Sequence, residues 1–177
     1  ELLQIEKARR LDISEEIYFE IITKKTATLI AACCAVGTAS VNNNEATISL
    51  FKEFGTLTGI AFQIKDDLFD YGTADIGKPT GNDIQEKKLT LPLIYTLNKI
   101  DNVKKRELIY IIKNENKNKE KVRQVIDVVV AEGGIKYAEE KMNGYRDEAL
   151  QILNEFENGE VKNALEELVR YTTDRKY

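Results

Sequence analysis

The sequence has no histidine, and only two cysteines, two prolines and one methionine among its 177 residues. Without an imidazole it has no Ser-His-Asp triad, no Cys-His nucleophile pair, no histidine general base and no histidine-ligated zinc. Cys33 and Cys34 are adjacent in an apolar run, which disfavours a structural disulfide and rules out a four-ligand metal site. Any chemistry must use carboxylates, lysines, hydroxyl groups or a bound metal, and this cysteine usage predicts a reducing, cytoplasmic location.

Charge and length further limit the class of protein. The 26 basic and 30 acidic residues give a net charge of -4, so the clustered basic surface that nucleic-acid binding requires is not expected. The apolar part of the longest uncharged stretch, residues 26–44, is too short to span a membrane. The length fits one domain. Because the sequence starts at Glu1 and its only methionine is Met142, we expect further residues upstream.

A first helix is predicted after Ser14, where a hydroxyl residue followed by two glutamates is typical of a helix start. Steps of three and four residues then predict one buried stripe: Tyr18, Ile22, Lys25, Leu29, Ala32 and Val36. Lys25 lies on this stripe. A core-facing ammonium needs an anionic partner, unless the side chain reaches solvent from the edge of the stripe.

A longer second helix is predicted over residues 46–71, after a break at residues 42–44. Its apolar stripe is wide. The remaining face carries small and polar residues: Gly55, Gly59, Gln63, Asp66, Asp67 and Asp70. The two glycines would let another helix approach closely, and the polar groups gather further along the same side.

The rest of the chain is also predicted to be helical. The predicted helices cover residues 91–99, 103–113 and 119–131, with one more from Gly133–Gly134 and a last one after Asn158–Gly159. The valine-rich helix has apolar residues at helical spacing: Val122, Val125, Ile126, Val129 and Val130. No alternating strand pattern occurs, so the predicted fold class is all-α.

Three aspartates stand at positions i, i+1 and i+4 near the end of the second helix. The carboxylates of Asp66, Asp67 and Asp70 would share a sector of roughly 100°, beside the negative end of the helix dipole. Such an arrangement is destabilising unless a cation is bound. Oxygen ligands without histidine or cysteine favour Mg²⁺, which completes its shell with water and phosphate oxygens. The alternative is an ordinary solvated acidic surface.

Lysines follow the aspartates. Glycines and a proline make residues 72–83 a predicted turn-rich loop, which carries Lys78, and Lys87 and Lys88 come shortly after it. These lysines either neutralise the carboxylates or bind phosphates that a metal bridges, with Lys25 contributing from the first helix. A metal–diphosphate site would act by electrostatic stabilisation of a departing anion.

These segments resemble a known family. Three segments are similar to the second aspartate-rich region of the all-trans polyprenyl diphosphate synthases: FQIKDDLFD (residues 62–70), GKPTGNDI (77–84) and KLTLP (88–92). Lys25-Thr26-Ala27 resembles the Lys-Thr motif on an earlier helix of these enzymes. The sequence of residues 77–92 is most similar to that of medium- and long-chain members, such as octaprenyl or heptaprenyl diphosphate synthases. The resemblance covers residues 1–177 as the carboxyl-terminal half of one synthase domain.

The resemblance implies an all-α bundle of the isoprenoid synthase type, usually homodimeric, that condenses an allylic diphosphate with isopentenyl diphosphate using Mg²⁺. It implies that Asp66 binds Mg²⁺ directly, that Asp67 and Asp70 bind it directly or through water, and that Asp83 supports these ligands without contacting the metal. It implies that three lysines hold the allylic diphosphate: Lys25, Lys78 and Lys88. It also implies that Thr26 and Gln63 lie near the reacting carbons.

The sequence departs from the family in one large respect. It contains a single DDxxD, whereas these enzymes carry another, together with the isopentenyl diphosphate site, in an amino-terminal half. We therefore expect this chain alone to be inactive. Alternatives are a terpene cyclase of the same helical build, a non-catalytic helical subunit of a heteromeric synthase, or a plain helical scaffold. The intact aspartates and the Lys-Thr and Gly-Lys motifs favour the synthase.

Overall fold

A computed structural model describes residues 14–41, 44–72 and 80–175. Every regular element in these ranges is helical, as predicted: α1 (Glu15–Ile22), a π-helical turn (Thr23–Ala27), α2 (Thr28–Ala39), α3 (Glu45–Phe69), α4 (Asn82–Gln85), α5 (Leu91–Lys99), α6 (Asn102–Asn114), α7 (Lys119–Ala131), α8 (Gly134–Leu153) and α9 (Glu160–Asp174). The described residues form two compact units. Unit 1 contains residues 14–21 and 66–139, and unit 2 contains residues 22–65 and 140–175.

The first helix begins where the sequence predicts but contains an unexpected π-helical turn. The Ser14 hydroxyl oxygen accepts from the backbone amide of Ile17 at 3.4 Å. After Ile22 the backbone widens, and the amide of Thr28 reaches the carbonyl of Thr23, five residues back. The Thr28 hydroxyl donates to the same carbonyl at 2.8 Å. These two bonds stabilise a turn that ordinary helical periodicity does not predict.

The π turn changes which face of the helix is buried. Ile22 is buried, and the next buried residue is Ala27, five positions later, followed by Ala31. This step of five is one more than the usual spacing along a helix face, because a π turn holds more residues than an α turn. The buried face after the turn is therefore rotated from the face that a regular α-helix continued from Ile22 would bury.

This rotation overturns part of the predicted stripe. Lys25 and Ala32 are exposed, and Leu29 and Val36 are 69% and 70% exposed. The prediction that these four residues continue the buried face is wrong. The ammonium of Lys25 consequently lies in solvent and needs no buried anion.

Helix α3 packs closely on the preceding helical segment within unit 2. A Cβ added to Gly59 would lie 2.6 Å from the Cα of Ala27, and one added to Gly55 would lie 2.8 Å from the Cα of Ala31. The predicted close approach at these two glycines is confirmed. The pairs also explain the rotated stripe, since Ala27 and Ala31 are the residues that face α3.

Each unit has an apolar core of its own. In unit 1 the largest fully buried side chains include Ile84, Leu91, Leu93, Ile94, Ile111, Ile112, Val125 and Val129. Val130, predicted on the same stripe of α7, is 54% exposed. In unit 2 the core cluster consists of Phe54, Ala149, Ile152, Leu153 and Val169. Helical spacing thus predicts the buried face of α7 apart from Val130.

The boundaries differ from prediction at a few points. Helix α3 ends at Phe69, two residues before the predicted end, and the short helix α4 begins inside the predicted loop.

At the end of α9, the guanidinium carbon of Arg175 lies 4.2 Å from the centre of the Phe62 ring, and its Nη2 donates to the Phe62 carbonyl at 3.4 Å. Across the described ranges, no helix combines the length and apolar character needed to cross a membrane.

The glycine contacts give a first testable prediction. Gly59→Ala should lower the free energy of unfolding by about 1–3 kcal/mol, because its Cβ overlaps the backbone of Ala27. Gly144→Ala is the matched control, since a Cβ there meets nothing within 4 Å. This control should raise stability by up to about 1 kcal/mol through helix propensity. Urea unfolding measures both, and changes of equal sign would contradict the packing.

Candidate functional site

The predicted site residues are divided between the two units. Unit 1 contains the aspartates and one lysine: Asp66, Asp67, Asp70, Asp83 and Lys88. Unit 2 contains Lys25, Thr26 and Gln63. Lys78 lies outside the described residues. Helix α3 is continuous from Glu45 to Phe69 and carries Gln63, Asp66 and Asp67 on its last turns.

The end of α3 concentrates negative charge. Asp66 and Asp67 lie in its last turn, which contains no basic residue, and Asp70 follows in the turn after it. Asp66 is half-buried, whereas Asp67 and Asp70 are each only 9% exposed. The carboxyl-terminal end of a helix carries a partial negative charge. The helix dipole therefore disfavours the ionised form of these carboxylates.

Asp67 is held by a buried tyrosine of α1. The hydroxyl of Tyr18 donates to Oδ2 of Asp67 at 2.8 Å, and Tyr18 is 4% exposed. Burial, followed by the charge of Asp67, holds the pKa of Tyr18 well above its ordinary range. The hydroxyl therefore remains a neutral donor to the carboxylate at any working pH.

Asp70 organises the start of α4 with both its main chain and its side chain. Its carbonyl accepts from the amide of Gly81 at 2.9 Å, Oδ1 accepts from the amide of Asn82 at 2.8 Å, and Oδ2 accepts from the amide of Asp83 at 3.0 Å. Gly81 precedes the helix and has no side chain with which to cap it. Asp70 thus supplies the cap from twelve residues away.

Asp83 and Lys88 form an ion pair beside this turn. The Lys88 ammonium lies 3.5 Å from Asp83 and 2.6 Å from Glu86. Hydrogen bonding to Glu86, with a smaller contribution from Asp83, raises the pKa of Lys88. The lysine remains about one third exposed, so its charge faces both the acids and solvent.

The environment of Asp70 disfavours its charge. Burial, and then the negative charge of Asp83, raise the pKa of Asp70 to about 6, although three backbone amides lower it. Asp101 gives a contrast: it also accepts from two amides, at the start of α6, but is exposed. Those amides lower the pKa of Asp101. The difference shows that desolvation and a neighbouring anion outweigh the hydrogen bonds at Asp70.

The carboxylates fit a hard cation in chemistry but do not enclose one. In the described part of the chain, no three carboxylate or thiol residues lie close enough together to hold a metal ion by themselves. Asp70 uses both oxygens to cap α4, and Asp67 uses one for Tyr18. An all-oxygen donor set with excess negative charge fits Mg²⁺, which commonly takes one or two carboxylates and completes its shell with water and phosphate oxygens.

In unit 2 the structure brings together two of the predicted residues. The hydroxyl of Thr26 donates to Oε1 of Gln63 at 2.9 Å. Thr26 belongs to the π-helical turn, next to Ala27 at the close contact with Gly59. Lys25, its neighbour, is exposed. The π turn therefore combines a fixed hydroxyl with a solvent-exposed ammonium on adjacent residues.

Sequence reasoning missed the role of Tyr18. Helical spacing predicts Tyr18 only as a member of an apolar stripe, and its predicted burial is confirmed. A phenol in a core position carries a signal that was available, because a buried hydroxyl normally requires a hydrogen-bond partner. The identity of that partner, 49 residues away, depends on the fold and could not be read from local spacing.

The raised pKa of Asp70 predicts a pH dependence. Because the folded-state pKa of about 6 exceeds the ordinary aspartate value of 3.8, Asp70 lowers stability as pH rises from about 4 to about 6, and the loss persists above that range. In divalent-free buffer we expect the ¹³C carboxyl resonance of Asp70 to titrate near pH 6. Asp101 should titrate below 3.8 in the same spectra. A midpoint for Asp70 at or below that of Asp101 would refute the burial argument.

The Thr26–Gln63 bond predicts a second outcome. Thr26→Val should lower the free energy of unfolding by about 1 kcal/mol, since it removes the donor to Gln63 while keeping the side-chain shape. Thr58→Val is the matched control, because the buried hydroxyl of Thr58 has no partner within the described residues. The control should leave stability unchanged or raise it. Urea unfolding measures the free energy of unfolding of both variants. An equal loss in Thr26→Val and Thr58→Val would contradict a stabilising hydrogen bond between Thr26 and Gln63.

Comparison with known proteins identifies relatives along nearly the whole chain. A short chain isoprenyl diphosphate synthase of Methanothermobacter thermautotrophicus is 31% identical over 95% of this chain and 52% of its own length. Heptaprenyl diphosphate synthase component 2 of Geobacillus stearothermophilus is 31% identical over 100% of this chain and 55% of its own. The chain thus spans about half the length of the curated relatives it matches.

Solved structures agree in fold. The polyprenyl synthase of Caulobacter crescentus CB15, solved in complex with calcium and isoprenyl diphosphate, superposes with a TM-score of 0.90 and 29% identity, over 99% of this chain and 54% of that one. The polyprenyl synthetase family model matches residues 1–129, a range that includes every predicted site residue. The chain belongs to the polyprenyl synthetase family.

Proposed function

We propose that this chain supplies about half of a prenyltransferase that condenses an allylic diphosphate with isopentenyl diphosphate to give a polyprenyl diphosphate. The observation that carries the proposal is the family match over residues 1–129, which includes the aspartates of α3, the Lys-Thr pair and the Gly-Lys segment. The Caulobacter crescentus relative, solved with calcium and isoprenyl diphosphate, supports a divalent cation and a diphosphate as the ligands. The cytoplasmic location remains a prediction.

In this proposal the acids of unit 1 hold Mg²⁺. Asp66 would be a direct ligand, because its side chain is half-buried and therefore more accessible to a metal ion than those of Asp67 and Asp70. Asp67 and Asp70, whose oxygens already accept hydrogen bonds, would bind directly or through water, and Asp83 would add negative charge behind them. When bound, Mg²⁺ would neutralise the charge that develops on the departing diphosphate.

The basic and polar side chains would act on the substrate. Lys25, Lys78 and Lys88 would bind the oxygens of the allylic diphosphate as point charges and stabilise it as it leaves. Thr26 and Gln63, joined by their hydrogen bond, would present fixed dipoles to the allylic carbons, where positive charge develops. The proton lost after the new carbon–carbon bond forms would pass to the released diphosphate, since the sequence has no histidine to accept it.

A second candidate concerns assembly. Similarity to component 2 of a heptaprenyl diphosphate synthase favours a subunit that works with a different polypeptide, in place of the homodimer expected from the resemblance. The full-length protein purified alone separates the two. Mg²⁺-dependent turnover by that preparation supports a homomeric enzyme, and binding of Mg²⁺ and pyrophosphate without turnover supports the heteromeric one.

Asp66→Asn in the full-length protein tests the proposed chemistry. We expect it to lower the turnover number of prenyl transfer by about 100-fold or more, because it removes the proposed metal ligand while keeping the side-chain size. Asp127→Asn is the control, an exposed acid on α7 with 61% of its side chain accessible, and should leave turnover unchanged. Wild-type rates in Asp66→Asn would end the proposal.

A further inference from the structure

The hydrogen bond between Tyr18 and Asp67 is a buried polar contact at the end of α3. The two side chains are 4% and 9% exposed, and the oxygens are 2.8 Å apart. The rings of Tyr18 and Phe19 pack in an edge-to-face arrangement with their centres 5.3 Å apart. A phenylalanine would fill the same apolar space without the cost of burying a hydroxyl. The hydroxyl therefore has a purpose beyond packing.

We propose that Tyr18 is a positioning residue for the metal–diphosphate site, which fixes the carboxylate of Asp67 through its buried hydroxyl. This inference rests on the proposed function, because it assigns Asp67 to a cation. It adds a residue of α1 to the proposed metal ligands of unit 1.

The chemical nature of the donor supports this role. A lysine or arginine in the place of Tyr18 would hold Asp67 equally well but would neutralise it and compete with a cation. A phenol hydroxyl fixes one oxygen and leaves the full negative charge in place. Asp70 is held in the same way, by the uncharged backbone amides of Asn82 and Asp83. Neither of these donors brings a positive charge to the acid that it orients.

The restraint also counters repulsion. Asp66, Asp67 and Asp70 are adjacent anions beside the negative end of a helix, and unrestrained side chains would rotate away from one another. A donor on a different helix prevents this rotation for Asp67 before a cation arrives. The cost of ordering the site is then met on folding and not on binding.

The test uses this 177-residue chain with Mn²⁺ as the probe, in the presence of inorganic pyrophosphate, and measures bound Mn²⁺ by electron paramagnetic resonance. Tyr18→Phe should raise the Mn²⁺ dissociation constant about tenfold. Tyr110→Phe, which removes a hydroxyl from a residue that is 58% exposed, should leave it unchanged. In an Asp67→Asn background, Tyr18→Phe should have no further effect, because its acceptor is already altered.

The outcomes distinguish the inference from the function it rests on. Equal Mn²⁺ affinity in the wild-type chain and Tyr18→Phe overturns the positioning role and leaves the metal site intact. Absence of Mn²⁺ binding by the wild-type chain overturns the metal role of the aspartates, and the inference with it. Loss of affinity in Tyr18→Phe that persists undiminished in the Asp67→Asn background also overturns the inference, because the effect then does not pass through Asp67.

A second measurement needs no substitution at Tyr18. In the chain labelled with ¹³C at the tyrosine ζ-carbon, addition of Mg²⁺ with pyrophosphate should shift the Tyr18 resonance, because the cation withdraws electron density from Asp67 and weakens the hydrogen bond. The Tyr110 resonance serves as the internal reference and should not move. A Tyr18 resonance as insensitive as that of Tyr110 would count against the proposal even if Tyr18→Phe fails to fold.

Discussion

Burial of negative charge at the end of α3 is the constraint around which the described part of unit 1 is arranged. Asp67 and Asp70 are nearly inaccessible to water. Asp67 accepts a hydrogen bond from a phenol, and Asp70 accepts hydrogen bonds from backbone amides. For Asp70 these bonds do not fully offset desolvation and the charge of Asp83, which is why its pKa rises to about 6. This burial of negative charge supports the proposed binding of a divalent cation.

The π-helical turn has a comparable importance in unit 2. It rotates the following helix so that the small residues Ala27 and Ala31 meet Gly59 and Gly55, which brings two helix backbones into contact. The same contact places the hydroxyl of Thr26 at hydrogen-bond distance from Gln63. A regular α-helix would present Lys25 and Leu29 toward this interface, where neither an ammonium nor a large side chain fits. Irregular helical turns often occur at functional sites, and here the turn carries the Lys-Thr pair.

Much of the fold could be predicted from sequence because helix formation depends on spacing that is visible locally. The boundaries of α5 and α7 agree with prediction, and four of the five periodic apolar residues of α7 are buried. The stripe after Ile22 could not be predicted, since a π turn leaves no signal in apolar periodicity. Asp70 lies just beyond the end of α3, and its carboxylate accepts from the amides of Asn82 and Asp83. Local spacing does not predict this contact, because its partners are twelve and thirteen residues away.

The residue types of the candidate site, and the family to which the chain belongs, were determined by the sequence alone. The absence of histidine, the single DDxxD and the Lys-Thr and Gly-Lys segments restrict the chemistry to carboxylates, lysines and a hard cation. The tertiary structure decided which atoms meet: Tyr18 with Asp67 across 49 residues, Thr26 with Gln63 across 37, and Asp70 with the start of α4. The physical reason is that residue spacing along the chain specifies a helix face, whereas a hydrogen bond between distant residues depends on how the helices pack.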